Sequence, residues 1–127
     1  METVARYVPI DPAKFDRVAR FNCDGTSMTE TLEGCANLRI DFAGGGCGYL
    51  AHRMLGGGVV ELVAAQGATE RGRVMDYLPW LESRVNGKAV RLITQRRGLM
   101  RELEKQGYTR RGQQGRGVIW QKDLYGR

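Results

Sequence analysis

Residues 59–74, with the sequence VVELVAAQGATERGRV, decide the fold of this chain. An apolar run leads through a small-residue loop into an amphipathic segment, which is the pattern of a strand followed by a helix. The first backbone N–H groups of a helix have no partner within the helix, so a phosphate can bind to them. The segment therefore predicts a strand-to-helix crossover with an anion site at the bend.

Upstream of this crossover, two glycine triplets at residues 44–46 and 56–58 divide the chain into segments 38–43, 47–55 and 59–65. Each segment is rich in strand formers, and short glycine loops join antiparallel neighbours, so we expect a three-stranded meander. Neither triplet is followed by Lys-Ser/Thr or by a helical pattern, which excludes a P-loop.

The N-terminal region is expected to contain one edge strand and two helices. Residues 6–10 predict the edge strand, because their proline cannot donate to a central ladder. Asp11 and the proline after it are typical of a helix start, and this helix is expected to run to about Phe21. Ser27 and Glu30 form a capping box for a second, short helix.

Downstream of the crossover, a helical stripe of Val74, Leu78, Leu81 and Val85 follows Thr69, the expected N-cap, and ends at Asn86-Gly87. Pro79 lies within this stripe. The apolar spacing stays in phase on both sides of it, which favours one kinked helix with Pro79 on its outer face. A helix that starts afresh at Asp76 is the alternative.

The last third of the chain predicts a strand at residues 89–94, a helix with the stripe Leu99, Met100 and Leu103 closed by Gly107, and two strands at 108–111 and 118–124 around the loop 112–117. The element order is β-α-α-β-β-β-α-β-α-β-β. We therefore expect one α+β domain spanning residues 1–127, with a central, mostly antiparallel sheet of about seven strands and about four helices.

Charge is unevenly distributed. Residues 1–90 hold 10 Lys/Arg and 11 Asp/Glu, whereas residues 91–127 hold 10 and 3, so net charges of −1 and +7 make up the total of +6. The basic C-terminal third is either a solvated face or an anion-binding patch. No run approaches the roughly 20 apolar residues that span a bilayer, and the first residues lack a signal pattern, so a cytoplasmic protein is expected.

The three cysteines, Cys23, Cys35 and Cys47, are expected to be free thiols, because three cannot all pair. Structural zinc ligands come as close pairs such as C-x2-C, and none occurs here, so no metal site is predicted. His52, the only histidine, lies in a strand segment and is expected to be structural, either hydrogen-bonded or exposed.

The order of elements resembles that of the GNAT (Gcn5-related N-acetyltransferase) superfamily over nearly the whole chain. The most specific local match is RLIT at residues 91–94 followed by GLMRELEKQGY at 98–108, which is similar to the family's fifth strand, fourth helix and closing "E-K-x-G-F/Y" turn. The small size and compressed helical region are also similar to degenerate GNAT-like proteins encoded by tailed phages.

The resemblance implies an acyl-CoA co-substrate, such as acetyl-CoA, in a cleft between splayed fourth and fifth strands, with its pyrophosphate on the loop before the third helix. The implied cofactor-binding residues here are Leu62, Val63, Ala64, Gln66, Gly67, Thr69, Arg71, Gly72, Arg73 and Val74. The loop has glycines and basic residues but not the family spacing, since counting back from Leu78 puts the family's central glycine on Arg73. Glu70 brings a negative charge near the phosphates, which Arg71 and Arg73 offset.

The implied catalytic residue is Glu61, in the strand where some family members place a general base. Its apolar neighbours Val60, Leu62 and Val63 suggest a raised pKa suited to that task, while alternation along the strand suggests instead that it faces solvent. The tyrosine that many members use as general acid falls on Leu103. Tyr108 is expected to pack at the strand start with its hydroxyl at the surface.

Three functions remain open. The first is an N-acyltransferase acting on an unknown amine by direct transfer from the thioester. The second is a non-catalytic GNAT-like phage accessory or virion protein that binds a partner or nucleic acid through its basic C-terminal third. The third is a dedicated nucleic-acid binder, which needs Tyr108 and Trp120 exposed beside the arginines at 96, 97, 101, 110, 111 and 116.

Overall fold

The computed structural model describes residues 2–19, 26–67 and 74–124. Within these residues the strands are β1 Val4–Val8, β2 Ala36–Asp41, β3 Cys47–Met54, β4 Val59–Gly67, β5 Ala89–Thr94, β6 Thr109–Gln114 and β7 Gly117–Asp123. The α-helices are α1 Met28–Thr31, α2 Val74–Arg84 and α3 Arg97–Lys105, and 3-10 turns lie at Pro12–Phe15 and Gly56–Gly58.

All seven strands belong to one sheet in the order β1-β2-β3-β4-β5-β7-β6. Neighbouring strands are antiparallel except β4 and β5, which are parallel and joined through α2. Parallel neighbours need such a crossover, because a tight turn reverses the chain direction. The predicted seven-stranded, mostly antiparallel α+β fold is confirmed, with three α-helices in the described residues rather than about four.

Each face of the sheet has its own hydrophobic core. On one face α2 and α3 bury Leu78, Leu81 and Leu103 against sheet residues that include Leu62 and Leu92. On the other face the N-terminal segment buries a second set of side chains: Phe15, Leu32, Tyr49, Ala51 and Ala64. Because side chains alternate between faces along a strand, β4 contributes to both cores.

The first predicted helix is much shorter than expected in the described residues. Asp11 caps it as predicted, accepting a hydrogen bond from the Ala13 amide at 3.1 Å, but a short 3-10 turn, Pro12–Phe15, follows in place of an α-helix. The amides of Arg17 and Val18 donate to the side-chain oxygen of Gln66 at 2.9 and 3.2 Å. They therefore cannot extend a helical ladder. The remainder of the predicted helix, residues 20 and 21, lies outside the described residues.

Two other helix predictions hold. Ser27 caps α1, and its hydroxyl accepts from the Glu30 amide at 3.2 Å. Helix α2 runs unbroken from Val74 to Arg84 with an exposed Pro79 inside it, so the alternative start at Asp76 is wrong. Thr69, the expected N-cap, lies outside the described residues.

The C-terminal hairpin is tighter than predicted. Strand β6 extends to Gln114, which pairs with Gly117, so the expected loop 112–117 shrinks to two residues. Gly115 supplies the positive φ, +58°, that a two-residue turn of this kind requires. Every residue of β6 is exposed, and the strand forms one edge of the sheet with a register shift between Arg110 and Gly112.

Helix α3 ends as the sequence predicted, at Gly107 with a φ of +91°. The Tyr108 amide donates to the Leu103 carbonyl at 3.0 Å and the Gly107 amide to Glu104 at 3.1 Å, which is a Schellman motif. This termination turns the Tyr108 side chain inward. Its hydroxyl is buried and donates to Glu82 at 3.0 Å, so the expectation of a surface hydroxyl is wrong.

Glu82 also accepts a hydrogen bond from the Lys122 ammonium at 3.0 Å. The Glu82 side chain is 4% exposed and that of Lys122 is 27% exposed. The Lys122 nitrogen lies 5.8 Å from the centre of the Tyr108 ring. The three side chains, which we call the Glu82 cluster, join α2 to β7 and to the residue that precedes β6.

In the described ranges, no helix is both long enough and apolar enough to cross a bilayer.

Candidate functional site

Strands β4 and β5 open into a wedge. They pair only from Val59–Ala89 to Leu62–Leu92, whereas β3 pairs with β4 as far as Gly67. The last five residues of β4 therefore extend past their final partner in β5, over roughly 16 Å at the usual rise of a strand. Since both strands run towards the open end, their carboxyl ends line it, a common position for a ligand between parallel strands.

The closed end of the wedge is fixed by a close backbone contact. The Lys88 amide donates to the Gly58 carbonyl at 2.8 Å. A Cβ atom at Gly87 would lie 2.9 Å from that same carbonyl oxygen and 2.9 Å from the Val60 side chain. Glycine at position 87 therefore lets the two strands begin in contact.

A bulge lies where the wedge opens. The β3–β4 register shifts so that Ala51 pairs with Ala64 and His52 with Leu62, which leaves Val63 as the extra residue of β4. A bulge bends its strand and increases the local twist. The divergence of β4 from β5 begins at this residue.

Glu61 lies at the vertex of the wedge, directly opposite Arg53 of β3 and Arg91 of β5. One carboxylate oxygen accepts hydrogen bonds from the Arg53 Nε and Nη2 atoms at 3.1 and 2.8 Å. The other oxygen is 3.5 Å from the Arg91 Nε atom, an ion-pair distance without a hydrogen bond. The Glu61 side chain is 10% exposed. Both the expected apolar surroundings and the alternative of a solvent-facing residue are wrong.

Glu61 alternates with Leu62, whose side chain belongs to the core under α2 and α3. Its carboxylate therefore lies on the opposite face, the one covered by the N-terminal segment. A carboxylate oxygen at this position can accept a hydrogen bond from an amine or a water at the vertex.

The predicted cofactor-binding residues of β4 differ in their surroundings. Leu62 and Ala64 are buried and Val63 is half-buried around the bulge. The Gln66 side chain is bonded to the N-terminal segment: its oxygen accepts from Arg17 and Val18, and its NH2 group donates to Asp16 at 2.9 Å.

The Gly67 carbonyl accepts a hydrogen bond from the Arg17 guanidinium. Val74 is the first residue of α2. Thr69, Arg71, Gly72 and Arg73, the core of the expected pyrophosphate loop, lie outside the described residues. The described residues that flank them in the chain are Gly67, the last residue of β4, and Val74.

The family's general-acid position carries no acid here. Leu103, on which it falls, is fully buried in the core between the sheet and the helices. Tyr108 has its hydroxyl in the Glu82 cluster, between α2 and β7. Within the described residues, no group of three or more His, Cys, Asp or Glu side chains is placed to hold a metal ion.

His52 is neither exposed nor hydrogen-bonded through its Nε2 atom, contrary to expectation. It is 7% exposed, its ring lies edge-on to Tyr7 at 5.8 Å, and Nε2 has no partner among the described residues. Burial lowers the pKa of His52 below its ordinary value of 6.5, because the interior disfavours the charged ring. The folded protein therefore favours the neutral ring.

Acidification should reveal this burial as a loss of stability. Below pH 6.5 the unfolded chain binds a proton at His52 more readily than the folded one, so the free energy of unfolding should fall as the pH falls through this value. Urea unfolding at pH 7.5 and 5.5 would measure the difference, which should shrink in His52→Gln. The chain has no other histidine, so an unchanged pH dependence in the variant would contradict this prediction.

The hypothesis of a dedicated nucleic-acid binder requires the rings of Tyr108 and Trp120 to be exposed, and this expectation is wrong. Tyr108 is 2% and Trp120 4% exposed, so neither ring can stack on a base. The exposed arginines of β6, Arg110 and Arg111, remain on the edge of the sheet.

Sequence reasoning missed the two arginines around Glu61, although one signal was present. Arg53 and Glu61 are equally far from Gly57, the centre of the second glycine triplet, so a hairpin turning there places them opposite each other. Arg91 could not be placed in this way, because the register of a parallel pair depends on the crossover and not on a turn.

Comparison with known structures supports the fold. A proposed N-acetyltransferase from Lactobacillus plantarum superposes with a TM-score of 0.70 at 12% identity, over 98% of this chain and 99% of its own. A proposed acyl-CoA N-acyltransferase from Klebsiella pneumoniae subsp. pneumoniae MGH 78578 gives a TM-score of 0.63 at 19% identity, over 97% and 98%. No protein-family model and no curated protein sequence matches the chain.

At these identities the similarity concerns the fold. It extends over nearly the whole chain in both comparisons. The chain shares the fold of these two proteins, so the fold expected from the resemblance is confirmed.

Proposed function

We propose that this protein is an acyl-CoA-dependent N-acyltransferase that transfers an acyl group, such as acetyl, directly from the thioester to an amine. The observation that carries the proposal is the wedge between β4 and β5 in a chain with the GNAT fold. Fold alone does not define an activity, so the support comes from this local feature together with the carboxylate at its vertex.

In this proposal the acyl-CoA co-substrate lies along the diverging half of β4, from Leu62 to Gly67. Its pyrophosphate is held by the loop that contains Thr69, Arg71, Gly72 and Arg73 and by the first amides of α2 at Val74. The thioester is then near the bulge at Val63. Apolar and half-buried residues at the bulge exclude water from the thioester.

Glu61 is proposed as the base or as the residue that orients a water for proton transfer. The amine nitrogen attacks the thioester carbonyl carbon, the amine proton passes to Glu61 or to its water, and CoA leaves as a thiolate that is then protonated. Arg53 and Arg91 hold the carboxylate at the vertex, where it can accept a hydrogen bond from the amine or from a water.

Thermal unfolding with acetyl-CoA tests the proposal. A ligand present at 100 times its dissociation constant stabilises the native state by about 2.7 kcal/mol, so the Tm should rise by several degrees. Gly72→Glu should weaken the apparent affinity for acetyl-CoA at least tenfold, because it places a bulky negative charge in the phosphate loop. The rise in Tm should therefore be smaller in this variant. Gly44→Glu, on an exposed turn with open space around its Cβ position, is the matched control.

No shift at millimolar acetyl-CoA would overturn the acyltransferase proposal. It would leave the non-catalytic alternative, a GNAT-like accessory or virion protein that binds a partner or nucleic acid through the basic residues of its C-terminal third. Equal weakening by the two glycine variants would instead remove the loop from the binding site.

A further inference from the structure

A second concave site lies on the face of the sheet covered by the N-terminal segment. It is a pocket of about 310 Å³ at the carboxyl end of β4, next to Gly67. Its lining residues come from the 3-10 turn, the residues after it, and strands β2, β3 and β4, and they include Lys14, Arg17, Arg39, Tyr49, Gln66 and Gly67. Three of them are cationic and none is acidic.

The positive charge of this pocket is only partly neutralised. Arg39 is paired with Asp41, with its Nη2 atom 3.1 Å from the carboxylate. Among the described residues, Lys14 and Arg17 have no salt bridge to a carboxylate; the Arg17 guanidinium contacts the neutral Gly67 carbonyl, and the nearby Asp16 carboxylate interacts with the Arg17 charge without lining the pocket. Three cationic side chains thus line the pocket, whereas two carboxylates of the described residues, Asp41 and Asp16, interact with them, so positive charge is in excess.

Tyr49 adds a neutral donor to the same surface. Its hydroxyl accepts a hydrogen bond from the Arg39 Nη1 atom at 3.2 Å, which leaves the hydroxyl proton available to donate. The Lys14 and Arg39 cations lie 5.9 and 5.7 Å from the centre of its ring, so the ring holds both cations at the pocket. An ammonium, a guanidinium and a phenolic O–H together match the acceptor oxygens of a phosphate or a carboxylate.

The walls of the pocket are held together before any ligand binds. Gln66 accepts from the amides of Arg17 and Val18 and donates to Asp16, which fixes the N-terminal segment to the end of β4. Such preorganisation lowers the entropy lost on binding. We propose that this pocket binds a phosphate or carboxylate group of a ligand through Lys14, Arg17 and Tyr49.

The pocket lies beside the open end of the wedge, away from the proposed position of the thioester, since Gly67 both lines the pocket and ends β4. Two ligands can supply the anionic group at this position: the acyl-CoA, through one of its phosphates, or the acceptor amine, through an acidic group. Only this choice of source rests on the proposed function. The pocket itself is tested with inorganic pyrophosphate, which needs no acyltransferase activity.

Calorimetric titration with inorganic pyrophosphate, comparing the wild-type protein with Lys14→Gln, is the first experiment. Removal of one charged donor should weaken pyrophosphate binding about fivefold, with little effect on the fold because Lys14 is exposed. Lys105→Gln is the matched control, since its side chain is 72% exposed at the end of α3. Equal weakening in both variants, or no binding by the wild-type protein, would overturn the proposal.

Alkylation by N-ethylmaleimide, followed by peptide mass spectrometry, locates the binding. Cys47 lines the pocket, whereas Cys35 is a half-buried thiol outside it whose pKa is raised by burial. Pyrophosphate should slow alkylation of Cys47 and leave that of Cys35 unchanged, and the protection should weaken in Lys14→Gln. Protection of both thiols, or of neither, would contradict binding in the pocket.

Titration with CoA distinguishes the two sources of the anion. If Lys14→Gln weakens CoA and pyrophosphate binding alike, a phosphate of the acyl donor occupies the pocket. If it weakens pyrophosphate binding and leaves CoA affinity unchanged, the pocket serves an acidic acceptor. A protein that fails to bind CoA but shows Lys14-dependent binding of pyrophosphate keeps the pocket and loses the acyltransferase proposal.

Discussion

Glu61→Gln is expected to lower kcat by roughly 10²- to 10⁴-fold, the usual contribution of a general base. Glutamine keeps the shape of the side chain at the vertex of the wedge but cannot take up a proton. The rate would be followed as release of CoA thiol from acetyl-CoA, with a panel of amino acids, polyamines and lysine peptides supplying the acceptor. The KM for acetyl-CoA should change little, because the proposed cofactor contacts lie on β4 from Leu62 onwards and on the loop.

Arg53→Gln is the matched control for the loss of the ion pair. It breaks the 2.8 Å contact from the other side and leaves the carboxylate with Arg91. If Glu61 acts in proton transfer, this variant should keep kcat within about tenfold of the wild type. A fully active Glu61→Gln variant, or equal losses in both variants, would show that Glu61 serves only to join three strands.

Glu82→Ala is expected to have the largest effect on stability, a loss of about 3 kcal/mol. Its side chain is 4% exposed, and its removal leaves the buried Tyr108 hydroxyl and the Lys122 ammonium without their shared acceptor. Because Lys122 is partly exposed and can recover some hydration, we expect the lower end of the range for broken buried pairs. Urea unfolding at neutral pH measures the change.

Glu102→Ala provides the comparison, since Glu102 also pairs with a lysine and also lies on a helix. Its partner Lys105 is 72% exposed at 3.3 Å, and exposed pairs of this spacing contribute about 0.5 kcal/mol or less. The difference in unfolding free energy between the two variants therefore measures the effect of burial on a Glu–Lys pair. A loss in Glu82→Ala as small as that in Glu102→Ala would contradict the structural role given to the Glu82 cluster.

The sequence predicted those parts of the fold that depend on local signals. The glycine triplets marked the meander, and strand β5 was placed at residues 89–94, as observed. The crossover at residues 59–74 set the parallel pair, because a strand followed by a helix and another strand packs back on the same sheet. Together these elements were sufficient to identify the resemblance.

The remaining features depend on residues far apart in the chain. The predicted first helix does not form as an α-helix in the described residues, because the Arg17 amide donates to the side chain of Gln66, 49 residues later in the chain. The same separation hid the cationic pocket, whose residues come from four parts of the sequence. The two-residue hairpin turn at Gly115 was missed because three glycines between 112 and 117 have the composition of a loop.

The exposed edge strand β6 has a consequence for how copies of this protein meet. An unpaired strand edge is a template on which another sheet can add, and natural proteins oppose this addition with charged side chains and irregular backbone. Strand β6 has both, with Arg110 and Arg111 beside a register shift that ends at Gly112. Part of the basic excess of the C-terminal third thus discourages aggregation, through repulsion between like charges whenever two such edges approach.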